Sequence, residues 1–351
     1  MSSVLRDTPF SVLDRSRVRR DPGGPEQPQG QPGGPRALRD TVALARDVEA
    51  LGYHRFWVSE HHAVPGVAGS APTVLAAAVA AATSRIRVGT GGVMLPNHRP
   101  LVVAEQFGVL ESLYPGRIDM GLGRSVGFTG GIRKALGAGK DEAAEFDAQL
   151  TELLGWFTGE QTAYPQVHAW PAEGLRPQPF VLATGSGAEL AAAQGLPLVI
   201  GGVRGEESML RAVDRYRAAF RPSAWAAEPY VVLSGTVAVA ATGERARRLL
   251  VPEAWSTAYS RTHGAFPALA PADAIAGRTM TGPERDRFEE AMGGHVHGTP
   301  EDVAKALESL LARSAADEFL VTTSTYDRSE LLESYRLLAE VLGRAPGRVV
   351  G

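Results

Sequence analysis

The amino-acid sequence predicts an α/β protein, a single (β/α)8 barrel, and three observations lead there. Short apolar strand candidates alternate with helical segments along nearly the whole chain, at spacings suited to right-handed βαβ units. Eight such strands can be read. At 351 residues the chain exceeds the ~250 residues typical of such a barrel, and the surplus falls in insertions.

In order, Thr8–Leu13 reads as the first strand. The stretch 15–36 is rich in Pro, Gly, Gln and Arg and cannot bury enough apolar surface to offset its ordering entropy, which predicts a mobile loop. Ala37–Leu51 carries apolar residues at helical spacing (Leu38, Val42, Ala45, Val48, Leu51) and ends at Gly52, a suitable residue just past a helix end. Arg55–Ser59 is a short buried strand, and Pro72–Thr83 an Ala-rich helix that opens on proline. Strand Ile86–Thr90, helix Leu101–Leu113, strand Ile118–Leu122 and helix Glu142–Trp156 follow. The second half gives strand Phe180–Ala183, helix Ala188–Gln194, strand Leu198–Ile200 and helix Glu206–Phe220. Tyr230–Ala240 reads as one long seventh strand, Glu318–Thr322 as the eighth, and Asp327–Leu342 as the closing helix. The longest insertion, 251–298, follows the seventh strand and includes a helical patch near Glu284–Met292. One domain is thus expected over 1–351. An open doubly wound sheet is the rival, but it wants a glycine-rich first turn leading directly into a helix.

Composition narrows the function classes. A net charge of −3 offers no electrostatic case for nucleic acid or an anionic membrane as partner. The absence of cysteine excludes a disulfide framework, a thiolate nucleophile and a cysteine metal cluster. No apolar run reaches the ~18 residues of a membrane span and no signal-type segment opens the chain, so a cytoplasmic protein is expected. Lysine occurs only at Lys134, Lys140 and Lys305, against many arginines. With heavy Ala, Gly and Pro usage, that reads as the codon bias of a GC-rich bacterium.

Chemistry in such barrels sits at the C-terminal tips of the strands. The second strand runs into Ser59-Glu60-His61-His62, where an imidazole can give or take a proton near neutral pH. The plainer alternative leaves one histidine hydrogen-bonded in the core and the other in water. Adjacent histidines seldom serve one metal, a catalytic zinc wants about three protein ligands, and the only other tight pair is His295 and His297, so no metal is expected. Gly91-Gly92 ends the third strand and lets a flat ligand lie against the backbone, or marks a bulge. Gly121, Gly123 and Gly127 do not fit a dinucleotide fingerprint. Arg124 beside them is a reasonable phosphate clamp, or a surface arginine. Thr184-Gly185-Ser186 precedes a helix, where small residues cap the helix, cradle a phosphate, or do both.

Taken together these segments resemble the bacterial luciferase-like, flavin-dependent monooxygenases. The resemblance runs from Phe10 to about Gly343. It is carried by 50–62 (ALGYHRFWVSEHH), 84–98 (SRIRVGTGGVMLPNH), 114–124 (YPGRIDMGLGR), Gly195-Leu-Pro197, 298–303 (GTPEDV) and 316–327 (ADEFLVTTSTYD). It implies a TIM barrel with a flavin at its mouth. His61 becomes the first catalytic candidate, with Glu60, and more weakly His62, beside it. Gly91 and Gly92 match a non-prolyl cis peptide beneath the isoalloxazine, and Glu105 an acid near the pyrimidine edge. Arg124, Thr184 and Gly185 match the residues that hold the FMN phosphate, and 251–298 matches a mobile lid. The resemblance implies reduced FMN delivered by a separate flavin reductase and a C4a-hydroperoxyflavin formed with O2. It also implies oxygenation of a small organic substrate, here guessed to be of aromatic polyketide type from secondary metabolism, and a homodimer.

Two departures stand out. A family position that can carry a reactive cysteine is Gly123 here, and the 15–36 insertion is unusual. Three alternatives remain open at this point: hydride transfer with the deazaflavin F420, a non-catalytic flavin-binding barrel, and a metal-dependent barrel hydrolase.

Overall fold

A computed structural model describes residues 3–21, 33–185, 187–202 and 205–344. Eight strands carry the fold: β1 (Phe10–Asp14), β2 (Arg55–Val58), β3 (Arg87–Thr90), β4 (Ile118–Gly123), β5 (Gln178–Ala183), β6 (Leu198–Gly201), β7 (Val231–Gly235) and β8 (Glu318–Val321). Their order is β3-β2-β1-β8-β7-β6-β5-β4, and β4 pairs again with β3, so the sheet closes on itself. The pairs β1–β8, β3–β4, β4–β5 and β5–β6 are parallel. The expected (β/α)8 barrel is therefore the observed architecture. A closed parallel sheet with helices outside it buries both faces of each strand. That is why β2 is buried at all four residues and shows no alternation, Arg55 being followed by three apolar residues.

The chain divides into two compact units, Met1–Phe56 with Ala63–Ser70 and Leu233–Gly351, and Trp57–His62 with Ala71–Val232. In the first unit, Phe10 of β1 stacks on Phe319 of β8 with ring centroids 5.5 Å apart. The buried Glu318 carboxylate accepts from Ser11 Oγ and, at 3.0 and 3.1 Å, from Arg55 Nε. The expected long seventh strand is broken. β7 stops at Gly235, and Val237–Val239 leaves the barrel to pair in parallel with Val296–Gly298. The cause is a competing set of partners. Thr323 Oγ1 accepts the Val237 N–H at 3.0 Å and donates to the Val237 carbonyl at 2.6 Å, while Ser334 Oγ accepts the Val239 N–H. Between those two short strands run helices Gly243–His263, Ala272–Ala276 and Gly282–Met292.

The stretch expected as one mobile loop, 15–36, is not uniform. Residues 22–32 lie outside the described residues, but those before them are held in place. Val18 N–H donates to Gly66 O at 3.0 Å, Leu269 N–H to Val18 O at 2.8 Å and Arg20 N–H to Leu269 O at 2.9 Å. Arg15 Nη1 meets Glu253 Oε1 at 2.8 Å. After the gap, Pro35 sits in the first turn of helix Gly34–Ala50, where its missing N–H costs nothing. The composition rule failed at 15–21 because arginine side chains and backbone groups supply most of the contacts, with Val18 as the one apolar anchor, packed against Ala37 and Ala268.

In the second unit the anchoring group is Asp119 of β4, which is fully buried. Trp57 Nε1 donates to its Oδ2 at 2.9 Å, and Arg87 Nε and Nη2 donate to its Oδ1 at 2.9 and 2.6 Å. Gly89 makes room for it, since a Cβ there would lie 2.4 Å from the Asp119 carbonyl. The expected helix Glu142–Trp156 is two helices, Lys140–Ala144 and Phe146–Thr158, joined at Glu145. Among the described residues no helix is long and apolar enough to cross a membrane.

Removing one partner of a buried ion pair leaves the other charge uncompensated, at a cost of about 3–5 kcal/mol. Asp119→Ala should lower the unfolding free energy measured by urea titration by an amount in that range, and a loss below about 1 kcal/mol would show that Asp119 is not an anchor.

Candidate active site

The residues singled out for chemistry fall in the second unit, and all but Glu105 lie at or just beyond the tips of β2, β3, β4 and β5. β2 delivers Ser59, Glu60, His61 and His62 in succession. Glu60 is almost wholly buried, and its carboxylate gathers four donors. His62 Nε2 lies 2.7 Å and His98 Nε2 2.9 Å from Oε1, with Asn97 Nδ2 at 3.5 Å, and the Met94 N–H reaches Oε2 at 3.0 Å. Burial alone raises the pKa of Glu60. The hydrogen bonds from His62 and His98, the charge of His98 and the Met94 amide override it and hold the group at about 2, below its ordinary 4.5. An ionised carboxylate only accepts, so both imidazoles present an Nε2–H to it. The ligand atoms of Glu60, His62 and His98 lie within 4.8 Å of one another. The two imidazole distances are hydrogen-bond lengths, and the donors present satisfy the carboxylate.

His61 is not part of that cluster. Its Nδ1 lies 3.1 Å from Ser59 Oγ, and the ring is half-buried. The histidine pair thus divides its labour: His62 is locked onto Glu60, and His61 is held by a hydroxyl.

The tip of β3 is a glycine platform. The Gly91–Gly92 peptide bond is cis, as the resemblance implied. A Cβ on Gly92 would lie 2.7 Å from Gly121 O, and one on Gly121 would lie 1.9 Å from Thr90 O, so β3 and β4 approach too closely for side chains. At Gly123 the opposite holds, because an added Cβ would meet nothing nearer than Val93 O at 4.0 Å. The space beside that tip is open.

Register places the polar groups around the platform. Met94, whose amide serves Glu60, pairs with Gly123. Gly123, the last residue of β4, pairs with Leu182 of β5, so Arg124 follows at the level of Ala183, the end of β5, just short of Thr184 and Gly185. Arg124 and Thr184 are exposed. Gly185 has φ 122°, a conformation that favours glycine, and its carbonyl accepts the Ala188 N–H at 2.9 Å at the start of helix Gly187–Ala193. Ser186 lies outside the described residues. Glu105 is half-buried on helix Pro100–Leu113 and, among the described residues, makes no hydrogen bond to the Glu60 cluster or to Arg124.

The structure therefore joins Glu60 and His62 in one hydrogen-bonded cluster, sets Gly91 and Gly92 at the tip of β3 and Arg124, Thr184 and Gly185 just past the ends of β4 and β5, and leaves His61 and Glu105 outside the cluster. It adds Met94, Asn97 and His98, which sequence reasoning missed. The signal available was the Pro96-Asn97-His98 turn closing the third-strand segment, the same place after β3 that Glu-His-His occupies after β2.

Similarity to known proteins identifies the family. The luciferase-like monooxygenase family profile matches residues 9–318. A luciferase-like monooxygenase of Escherichia coli is 33% identical over 336 residues, covering 95% of this chain and 96% of that protein. The N-acetyl-S-alkylcysteine monooxygenase of Bacillus subtilis is 33% identical over 329 residues, covering 87% and 92%. The crystal structure of apo-MsnO8 superposes with a TM-score of 0.80 at 31% identity, covering 97% of this chain and 99% of that one. The chain belongs to the luciferase-like monooxygenase family. It is accordingly an oxidoreductase of the monooxygenase type.

The depressed pKa of Glu60 makes a test. A carboxyl held at about 2 against an ordinary 4.5 contributes stability that is fully present above pH ~4.5 and is lost as pH falls towards 2, in all about 3 kcal/mol. Urea unfolding of wild type and Glu60→Gln between pH 7 and pH 3 should show a stability gap that narrows below pH ~4.5. A gap independent of pH would mean that Glu60 is not the ionised hub of this cluster.

Proposed function

We propose that this chain is the oxygenating component of a two-component flavin-dependent monooxygenase acting on a small organic substrate. The observation that supports the reading is the register of β4 and β5, in which Arg124 follows one strand tip and Thr184 and Gly185 follow the other, near the open space at Gly123 and the Gly91–Gly92 platform. An exposed cation and hydroxyl suit a phosphate, and a glycine surface suits a flat ring, so the residues present fit FMN. Bound reduced FMN supplies the two electrons that activate O2 for transfer of one oxygen atom to the substrate, the other leaving as water.

The protein's own part is binding, orientation and proton handling. Arg124 holds the phosphate through its guanidinium, and Thr184 donates its hydroxyl. Gly91 and Gly92 let the ring system lie close to the backbone, and Glu105 serves the pyrimidine edge. A Ser59 hydroxyl that donates to His61 Nδ1 leaves the imidazole hydrogen on Nε2, so His61 delivers and recovers a proton at that atom. Glu60 acts through the histidines that it fixes, as a positioning residue. In this reading a separate reductase supplies the reduced FMN, and the chain works as a homodimer on substrates of aromatic polyketide type.

Anaerobic titration with reduced FMN, reduced riboflavin and reduced F420 tests the assignment. Reduced FMN should bind most tightly. Arg124→Ala should weaken FMN by about 10–100-fold, the size of a lost charge-assisted hydrogen bond, and leave riboflavin unchanged. On mixing with aerated buffer, bound flavin should reoxidise more slowly than free flavin, and His61→Ala should abolish that protection. Preference for F420 with no reaction towards oxygen would move the assignment to hydride transfer.

A further inference from the structure

In the first unit, residues between Arg17 and Asp21, between Gly33 and Asp40 and just after β8 line a cavity of about 320 Å³, within the size range of small-molecule sites. Five arginines line it: Arg17, Arg19, Arg20, Arg36 and Arg328. Its acidic lining is Asp21, Asp40 and Asp327, which leaves an excess of positive charge.

Carboxylates pair Arg17, with Glu253 at 3.3 Å, and Arg328, with Asp40, but among the described residues none meets Arg19, Arg20 or Arg36 in an ion pair at hydrogen-bond length. Asp327 is committed to its own helix, its Oδ1 accepting the Ser329 and Glu330 N–H groups at 2.8 and 3.1 Å. Asp40 lies 3.1 Å from Arg328 Nη1, but Arg36 Nε and Arg19 Nη1 approach it only to 3.9 and 4.0 Å, beyond hydrogen-bond length. Arg19 Nε instead spends its hydrogen bond on the Tyr326 carbonyl at 2.8 Å. Arg20 is the sharpest case. Its backbone is fixed on both sides, by Arg20 N–H to Leu269 O at 2.9 Å and by Tyr326 Oη donating to Arg20 O at 2.9 Å. Yet its buried Nε has no hydrogen-bond partner among the described residues. Buried charged donors in native proteins are met by some acceptor, and an orphan on a cavity wall marks where one belongs.

We propose that this cavity binds a dianionic oxyanion, a phosphate or a phosphate monoester, through Arg20, Arg19 and Arg36. Planar guanidinium forks match tetrahedral oxyanions, and several line this one cavity. The residues are other than those of the proposed flavin cradle, so the two sites stand or fall separately.

Calorimetric titration of the intact chain with inorganic phosphate at low ionic strength, with sodium chloride at matched ionic strength as control, tests the proposal. The titration is repeated in an Arg124→Ala background, with Arg20→Met or Arg36→Ala added. Phosphate should bind to the Arg124→Ala protein, and either further change should weaken it about tenfold or more. Neither change made in the wild-type chain should alter FMN affinity. Arg36 is mostly exposed, so its variant keeps the test valid if Arg20→Met fails to fold. Loss of phosphate binding on Arg124→Ala alone would assign the anion to the flavin cradle and overturn the proposal. Equal binding in all variants, no binding at all, or an equal response to chloride would overturn it too.

Discussion

A carboxylate buried at the end of a strand is expensive to keep charged, and the neighbourhood of Glu60 is arranged around meeting that cost. Two imidazoles, an amide N–H and a side-chain amide converge on two oxygens. Each donor comes with a geometric demand. Met94 must hold its N–H towards Glu60 while pairing with Gly123, and His98 must turn back from the end of a short 3-10 turn. The carboxylate thereby couples the tip of β2 to the chain beyond β3 and, through the sheet, to β4.

Around that hub the site is shaped as much by missing side chains as by present ones. Gly92 and Gly121 allow two backbones to approach within a distance that any Cβ would block, whereas Gly123 leaves its space empty. The polar groups of the proposed cradle sit on the rim of this bare surface, at Arg124 and Thr184. Steric permission and charge are thus supplied by different residues, which lets either be altered without the other.

Much of this was legible in the sequence. Strands buried on both faces are mostly apolar, with the few polar residues such as Asp119 and Glu318 paired, so β1 to β6 and β8 declare themselves locally. Glu60, His61, Gly91, Gly92, Arg124 and Thr184 could be read because each follows a strand, where a barrel puts its chemistry. The break after Gly235 was not legible, since Tyr230–Ala240 is apolar enough for one strand and only the distant Thr323 and Ser334 divert it. His98 was missed for a similar reason. It stands 38 residues from Glu60, and no local pattern states that two histidines share one carboxylate. The arginines of 15–21 misled in the other direction, because their composition resembles a solvated loop while their backbone is hydrogen-bonded to Gly66 and Leu269.

The small parallel sheet of Val237–Val239 and Val296–Gly298 pins together the two ends of the helical excursion between them. With both ends fixed beside each other, the excursion's length and content are uncoupled from the register of β7 and β8. It behaves as a cassette, so one barrel can carry excursions of different size and shape, and a graft cut at those two short strands would carry its own attachment with it.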